Sequence, residues 1–161
     1  MINSFSGRWA FLSNFYPCEI EYQGITYKSV EAFYVAMKVN DMQLINGKTY
    51  TADDVREMIS RMPGSTTKET GAVKRFGRSL KLRKDWDDTK LKVMNYGVRQ
   101  KFTKHENLKA LLLSTGNEQL VEGNYWHDVF FGSCTCPKCG NNGLNHLGKI
   151  LMNVRDEISR N

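Results

Sequence analysis

Apolar residues recur along this chain in short clusters, and their spacing marks helices more often than strands. Leu91, Met94, Val98 and Phe102 fall at i, i+3, i+7 and i+11, the stripe of an amphipathic helix over Asp85–Phe102. Leu108, Leu111 and Leu112 mark the next helix, with Gly116 as its C-terminal stop. Leu147, Ile150, Leu151, Val154 and Ile158 predict a third, closing the chain. Nearer the start, Ser29 reads as an N-cap for a helix from about Val30. Val30, Phe33 and Met37 form its apolar stripe. Glu31, Tyr34 and Lys38, at i, i+3 and i+7, form a second stripe beside it. Thr51 caps a short predicted helix, Asp53–Arg61, which Pro63-Gly64 ends. Thr66–Arg78 predicts another, interrupted by Gly71 and Gly77.

Strand signals are fewer. Glu19–Tyr22 and Ile25–Lys28 read as a hairpin around Gln23-Gly24. Asp41–Tyr50 has no clear period and reads as a loop, and Gln119–Glu122 as a short strand. Gly123–Gly143 reads as a loop, rich in Gly, aromatics and Cys; so long a loop in a small protein is more often functional than idle. The expected fold is α+β and mainly helical, one compact domain over residues 1–161 with a small antiparallel sheet.

Composition narrows the class. With 161 residues, 40% of them hydrophobic and 11% aromatic, the chain can build one adequate core. No apolar run approaches the roughly 18 residues that a membrane helix needs. Met1-Ile-Asn-Ser-Phe carries no basic or hydrophobic leader pattern, and four Cys without such a leader predict reduced thiols in the cytoplasm. A net charge of +6 suits a phosphate-bearing substrate or nucleic acid. Much of the excess lies in Lys68–Lys84, through Lys68, Lys74, Arg75, Arg78, Lys81, Arg83 and Lys84. The alternative for that stretch is a solvated face.

Candidate chemistry begins with Phe11-Leu-Ser-Asn-Phe-Tyr-Pro17, where a polar pair interrupts an aromatic run. Joined to Glu31 and Lys38, it resembles a pocket that stacks a flat ring beside acid–base or nucleophilic groups. The alternative is ordinary core and a wet helix face. Separately, Cys134-Thr-Cys136-Pro-Lys-Cys139-Gly140 reads as a zinc knuckle with three ligands present and the fourth open among His127, His146 and Cys18. A metal-free loop of reduced thiols is the other reading. No G-x-G-x-x-G follows a strand, so no dinucleotide cofactor is expected.

Six segments in order resemble the NADAR superfamily of YbiA-like N-glycosidases. They are Phe11–Pro17; Tyr27-Lys-Ser-Val-Glu-Ala-Phe33 with Lys38; Arg83-Lys-Asp-Trp-Asp87 with Met94 and Lys101-Phe102; Leu112-Leu-Ser-Thr-Gly116; Glu122-Gly-Asn-Tyr-Trp-His-Asp128; and Gly143-Leu-Asn-His-Leu-Gly148 with Leu151-Met152 and Arg155. The resemblance implies a compact, mainly helical α+β domain that cleaves N-glycosidic bonds without a required cofactor. It implies two substrate classes: ADP-ribose on guanine in nucleic acid, or a phosphorylated ribosylamino-pyrimidine of riboflavin synthesis. On it, Glu31 and Asp128 are the candidate catalytic carboxylates and Lys38 the candidate nucleophile. Ser13, Asn14, Phe15, Trp86, Trp126 and Asn145 are candidates for substrate binding. The expectation is that Glu31, Asp128 and Lys38 line one cleft with Asn14, Trp86 and Trp126.

Two positions depart from the common family pattern. Ala32 stands where a His usually follows the glutamate, and Phe131-Gly132 stands where Trp-Gly is usual after the Asp. Both bear on pocket shape, not on the acidic residues. The favoured reading is removal of ADP-ribose from ADP-ribosylated guanine or a nucleotide analogue, with a nucleotide or modified nucleic acid as partner, no membrane and no obligate protein partner. A reading of another class is a basic zinc-knuckle module that binds nucleic acid without catalysis.

Overall fold

Two-residue hairpin turns of type I′, whose twist matches that of the strands, need positive φ at both central residues. Gln23 and Gly24 supply it, at 49° and 80°, and join β1 (Ile20–Tyr22) to β2 (Ile25–Tyr27) in antiparallel register. The same device recurs at Asn46 and Gly47, at 50° and 80°, between β3 (Gln43–Ile45) and β4 (Lys48–Tyr50). The expected loop over Asp41–Tyr50 is therefore a second hairpin. Its strands are short and largely exposed, so no hydrophobic alternation announces them; Asn46-Gly47 alone carries the signal.

The computed structural model describes Met1–Asn161 and comprises two units, Asn14–Gly97 and the discontinuous pair Met1–Ser13 with Val98–Asn161. No helix is long and apolar enough to cross a membrane. The fold is α+β and mainly helical, with strands confined to two-stranded pairs.

Unit Asn14–Gly97 is built around α1 (Val30–Ala36), whose N-cap Ser29 accepts a hydrogen bond from the Ala32 amide at 3.0 Å. The helix is shorter than its stripe implied. Met37 is the C-cap, so Lys38 lies just past the helix, its amide donating to the Val35 carbonyl. The cause is a remote cap. Arg56 of α2 (Ala52–Arg61) donates to the carbonyls of Ala36 at 3.3 Å and Val39 at 2.5 Å, replacing the bonds a further helical turn would make. Helix α2 starts on a capping box in which Thr51 accepts from the Asp54 amide and Asp54 accepts from the Thr51 amide.

Helix α3 (Thr67–Arg78) runs unbroken through both glycines that the sequence suggested would interrupt it. Gly77 is there for packing. A β-carbon on it would come within 2.8 Å of Val35 Cγ1, so α3 can press against α1 only with no side chain there. Helix α4 (Trp86–Lys104) begins in this unit, and within it Met94 is buried while Leu91 is 38% exposed. Leu91 therefore lies off the core stripe that the periodicity assigned it.

In the other unit a 3-10 helix (Gly7–Leu12) precedes the rest of α4, where Val98, Lys101 and Phe102 are buried. There follow α5 (Glu106–Leu113), β5 (Gly123–Asn124), β6 (Ser133–Cys134) and α6 (His146–Ser159). Strands β5 and β6 pair in parallel, and α6 packs on α5, with Leu147, Leu151, Val154 and Ile158 among its buried residues. The expected strand at Gln119–Glu122 reduces to one parallel bridge between Leu120 and Ile2. Leu111 is 38% exposed, unlike its buried neighbours Leu108 and Leu112.

Gly71 and Gly77 should respond oppositely to alanine. At Gly71 the nearest atom to a new β-carbon is the flexible Arg75 Nη1, 3.6 Å away, so Gly71→Ala should be neutral or stabilise by up to about 1 kcal/mol. At Gly77 the stiff Val35 must move, and overpacking of about 1–3 kcal/mol outweighs the helix gain, so Gly77→Ala should destabilise. Urea unfolding of the two variants measures this; equal midpoints would mean that the α1–α3 packing is loose.

Candidate functional site

Helix α1 brings a carboxylate inside. Glu31 sits in the first turn, 8% exposed, and its amide donates to the Asn14 carbonyl at 3.1 Å. That bond ties Asn14 to the helix start, and the Asn14 side-chain amide donates to Met94 Sδ at 3.3 Å. Lys38 lies half-buried, its Nζ 5.4 Å from the centre of the Tyr34 ring. Tyr34 in turn meets Trp86 edge to face, with ring centres 5.0 Å apart. The adjacent stripe of Glu31, Tyr34 and Lys38 thus survives although the helix stops before Lys38.

The electrostatics centre on Lys38. Burial holds its ammonium pKa below the ordinary lysine value; Glu31 opposes that shift, while Lys74 and Arg78 of α3 add to it. Lys74 Nζ also lies 5.8 Å from the Phe15 ring centre. Within the basic stretch, half-buried Lys74 and exposed Arg78 both act on Lys38, while Lys68 and Arg75 are exposed to water. Such a group of a buried carboxylate, a lysine with weakened charge and two rings can support acid–base or nucleophilic chemistry.

The other unit holds the second set. Asp128 Oδ1 accepts from the amides of Phe130 and Phe131 at 3.1 and 3.0 Å, so one of its oxygens holds a turn. Buried Asn124 braces that turn, accepting from the Trp126 and Asp128 amides and donating to the Asp128 carbonyl at 2.8 Å. Trp126 is 49% exposed and can offer a ring face; Trp86, at 6%, is packed. Asn145 starts α6 and binds main chain at both ends of its amide, accepting from the Glu122 amide and donating to the Leu120 carbonyl, both at 2.9 Å. The Ser13 carbonyl accepts from Lys101 Nζ at 2.8 Å. Lys101, 1% exposed, entered the sequence reading only within a family segment and was given no role, although it follows Met94 and Val98 at helical spacing.

The cysteine run closes on itself. The ligand atoms of His127, Cys134, Cys136 and Cys139 all lie within 4.8 Å of one another, so of His127, His146 and Cys18 it is His127 that lies beside the three sulfurs. His146 packs on Phe130 instead, with ring centres 4.6 Å apart, and Cys18 pairs its amide with the Lys28 carbonyl in the other unit. Burial resists ionisation of Cys134, but hydrogen bonds from Cys136, Cys139 and the His127 main chain bring its thiol down to about 7. Bonds from Cys134 and Cys136 push Cys139 up to about 12, so one sulfur ionises at the expense of another.

With this geometry in hand, the class can be read. A mainly helical α+β chain carrying these segments matches the NADAR domain over residues 4–159. An N-glycosidase of Nostoc punctiforme is 36% identical over 91% of this chain and 83% of its own. N-glycosidase YbiA of Escherichia coli is 31% identical over 97% and 86%. A riboflavin biosynthesis protein of Vibrio vulnificus is 34% identical over 92% of this chain and 35% of its own. The NMR structure of Escherichia coli YbiA superposes with a TM-score of 0.74 at 30% identity, covering 99% of this chain and 86% of that one. The chain belongs to the NADAR family, and it is a hydrolase acting on N-glycosyl bonds.

Lys38 should report on its neighbours. Arg78→Ala removes a cation that lowers the Lys38 pKa, so the pH at which Lys38 becomes reactive should rise. Glu31→Gln removes the group that raises it, so that pH should fall. The rate of Lys38 acylation against pH, followed by peptide mass spectrometry, measures both; unmoved profiles would show that Lys38 titrates independently of them.

Proposed function

We propose that this N-glycosidase removes ADP-ribose from ADP-ribosylated guanine in DNA, or from a close nucleotide analogue. The observation that carries the reading is the setting of Lys38: half-buried beside Glu31, with its charge weakened by burial and by Lys74 and Arg78. Cleaving the C1′–N bond builds positive charge on the sugar and negative charge on the departing base. In the proposed route, neutral Lys38 attacks C1′ as the bond to guanine breaks. Glu31 takes the proton that Lys38 loses and returns one to the departing nitrogen. The sugar opens to an imine on Lys38, which water then hydrolyses. Asp128 is assigned as the carboxylate that favours the cationic sugar, Trp126 as a base-stacking ring, and Asn14 as a positioning amide.

Substrate size is argued from charge placement. Lys74 and Arg78 can meet the pyrophosphate of ADP-ribose. Lys68, Arg75 and Arg78 lie at i, i+7 and i+10 on one exposed stripe of α3, more cations than a single phosphomonoester requires.

Glu31→Gln should lower turnover by about 10²-fold or more. Asp128→Asn keeps an oxygen to accept from Phe130 and Phe131, so the turn persists while the charge is lost; turnover should fall by about 10²-fold. Single-turnover release of ADP-ribose measures both, and wild-type rates in either variant would remove that residue from the chemistry.

The substrate is tested by Lys68→Glu with Arg75→Glu, which leaves Lys74 and Arg78 in place. kcat/KM on ADP-ribosylated DNA should drop, and its salt dependence should flatten by about 0.7–0.9 in log–log slope for each phosphate no longer neutralised. An ADP-ribosylated guanine mononucleotide should be cleaved as before. Equal losses on both substrates, or preference for a phosphorylated ribosylamino-pyrimidine, would overturn the DNA reading.

A further inference from the structure

Beyond glycoside cleavage, we propose that His127, Cys134, Cys136 and Cys139 bind one structural zinc ion, through Nδ1 and three thiolates, and that this ion fixes the turn bearing Trp126 and Asp128. The spacing of the donors fits the ion. Tetrahedral zinc, with bonds of about 2.3 Å to sulfur and 2.0–2.1 Å to nitrogen, sets N···S edges of roughly 3.5 Å. His127 Nδ1 lies 3.3 Å from Cys136 Sγ, 3.4 Å from Cys139 Sγ and 4.0 Å from Cys134 Sγ. None of the three sulfurs is tied into a disulfide.

The backbone around the sulfurs is shaped for thiolates. Cys139 donates its amide to Cys136 Sγ at 3.4 Å, and Gly140, in the left-handed region at φ 63°, turns back to donate to the Cys136 carbonyl at 2.9 Å. An amide aimed at a sulfur favours its charged form. Cys134 and Asn142 bond each other in both directions, closing the base of this small loop. Three soft thiolates and one imidazole in tetrahedral spacing suit Zn²⁺ better than a hard cation. The set leaves no position for substrate, which makes the site structural.

The consequence follows from where His127 sits. It lies between Trp126 and Asp128 with φ at 71°, an uncommon conformation for a residue with a side chain. Asn124 holds Trp126 and Asp128 by their amides on either side. A metal bond to Nδ1 would anchor the middle of that turn.

Metal analysis of protein purified under reducing conditions should find about one zinc per chain. Adding Co²⁺ to metal-free protein should give the visible bands of a tetrahedral ion and near-ultraviolet charge transfer scaled to three thiolates. Cys136→Ser should bring metal content to near zero, while Cys18→Ser and His146→Ala should keep it. His127→Cys should restore binding with a fourth thiolate in the Co²⁺ spectrum, a rescue that a misfolded loop would not give. Limited proteolysis should cut the 125–131 segment faster once zinc is removed. Absence of metal in the wild type, equal loss on Cys18→Ser, or charge transfer from only two thiolates would overturn the proposal. None of these readouts uses glycosidase activity, so they stand or fall apart from the assigned substrate.

Discussion

Seven residues of helix cannot hold themselves together in water, and α1 is that short. All but Tyr34 of its residues are buried, so it exists because other elements enclose it. Helices α2 and α3 flank it, Ser29 closes its amide end and Arg56 reaches across to its carbonyl end. The absence of a side chain at Gly77 sets how near α3 comes. The position of Glu31 is a by-product of this enclosure: a residue in the first turn of a helix buried on most sides is buried too.

Burial makes the pair of Glu31 and Lys38 chemically distinctive. An exposed lysine stays charged well above neutral pH, and an exposed carboxylate is fully hydrated. Removal of water disfavours the Lys38 ammonium, and cations on α3 disfavour it again, while Glu31 acts the other way. These influences oppose one another, so a change in either neighbour shifts the Lys38 pKa in a direction its charge dictates. The rings of Tyr34 and Trp86 pack edge to face beside this pair, and Trp86 is buried.

Legibility in the sequence followed the range of the interaction. Ser29, Thr51 and the Gln23-Gly24 turn act on residues within a few positions of themselves, and each was readable. The end of α1 was not, since Arg56 caps it from 17 and 20 residues away. Gly77 in α3 read as an interruption because its reason, Val35, lies on another helix. Asn46-Gly47 carried a local signal that the surrounding polar residues masked. At the site, family segments named Glu31, Lys38 and Asp128, but only the folded structure brings Lys74 and Arg78 to act on Lys38 and Asn124 to brace Asp128. Lys101 was named in a family segment but given no role, although a charge at helical spacing from Met94 and Val98 is either an error of register or a satisfied buried group.

The segment between β5 and α6 is ordered by polar contacts, with few apolar ones. Fixing each residue's backbone costs about 1–2 kcal/mol, and this segment has little regular structure to offset that. Instead, buried Asn124 and Asn145 use their amides on main chain, and Asp128 binds two amides with one oxygen. Gly143 lets two strands of chain pass so closely that a β-carbon would lie 2.1 Å from the Gly132 carbonyl oxygen. Each such bond needs its own partner, so the segment tolerates change only where no amide or carbonyl depends on the side chain. Phe131 is such a place. Its amide is what Asp128 holds, and its ring meets Phe130 edge to face at 4.8 Å. A different aromatic at that position changes the ring contact with Phe130 and leaves the turn standing, because Asp128 holds only the main chain of Phe131.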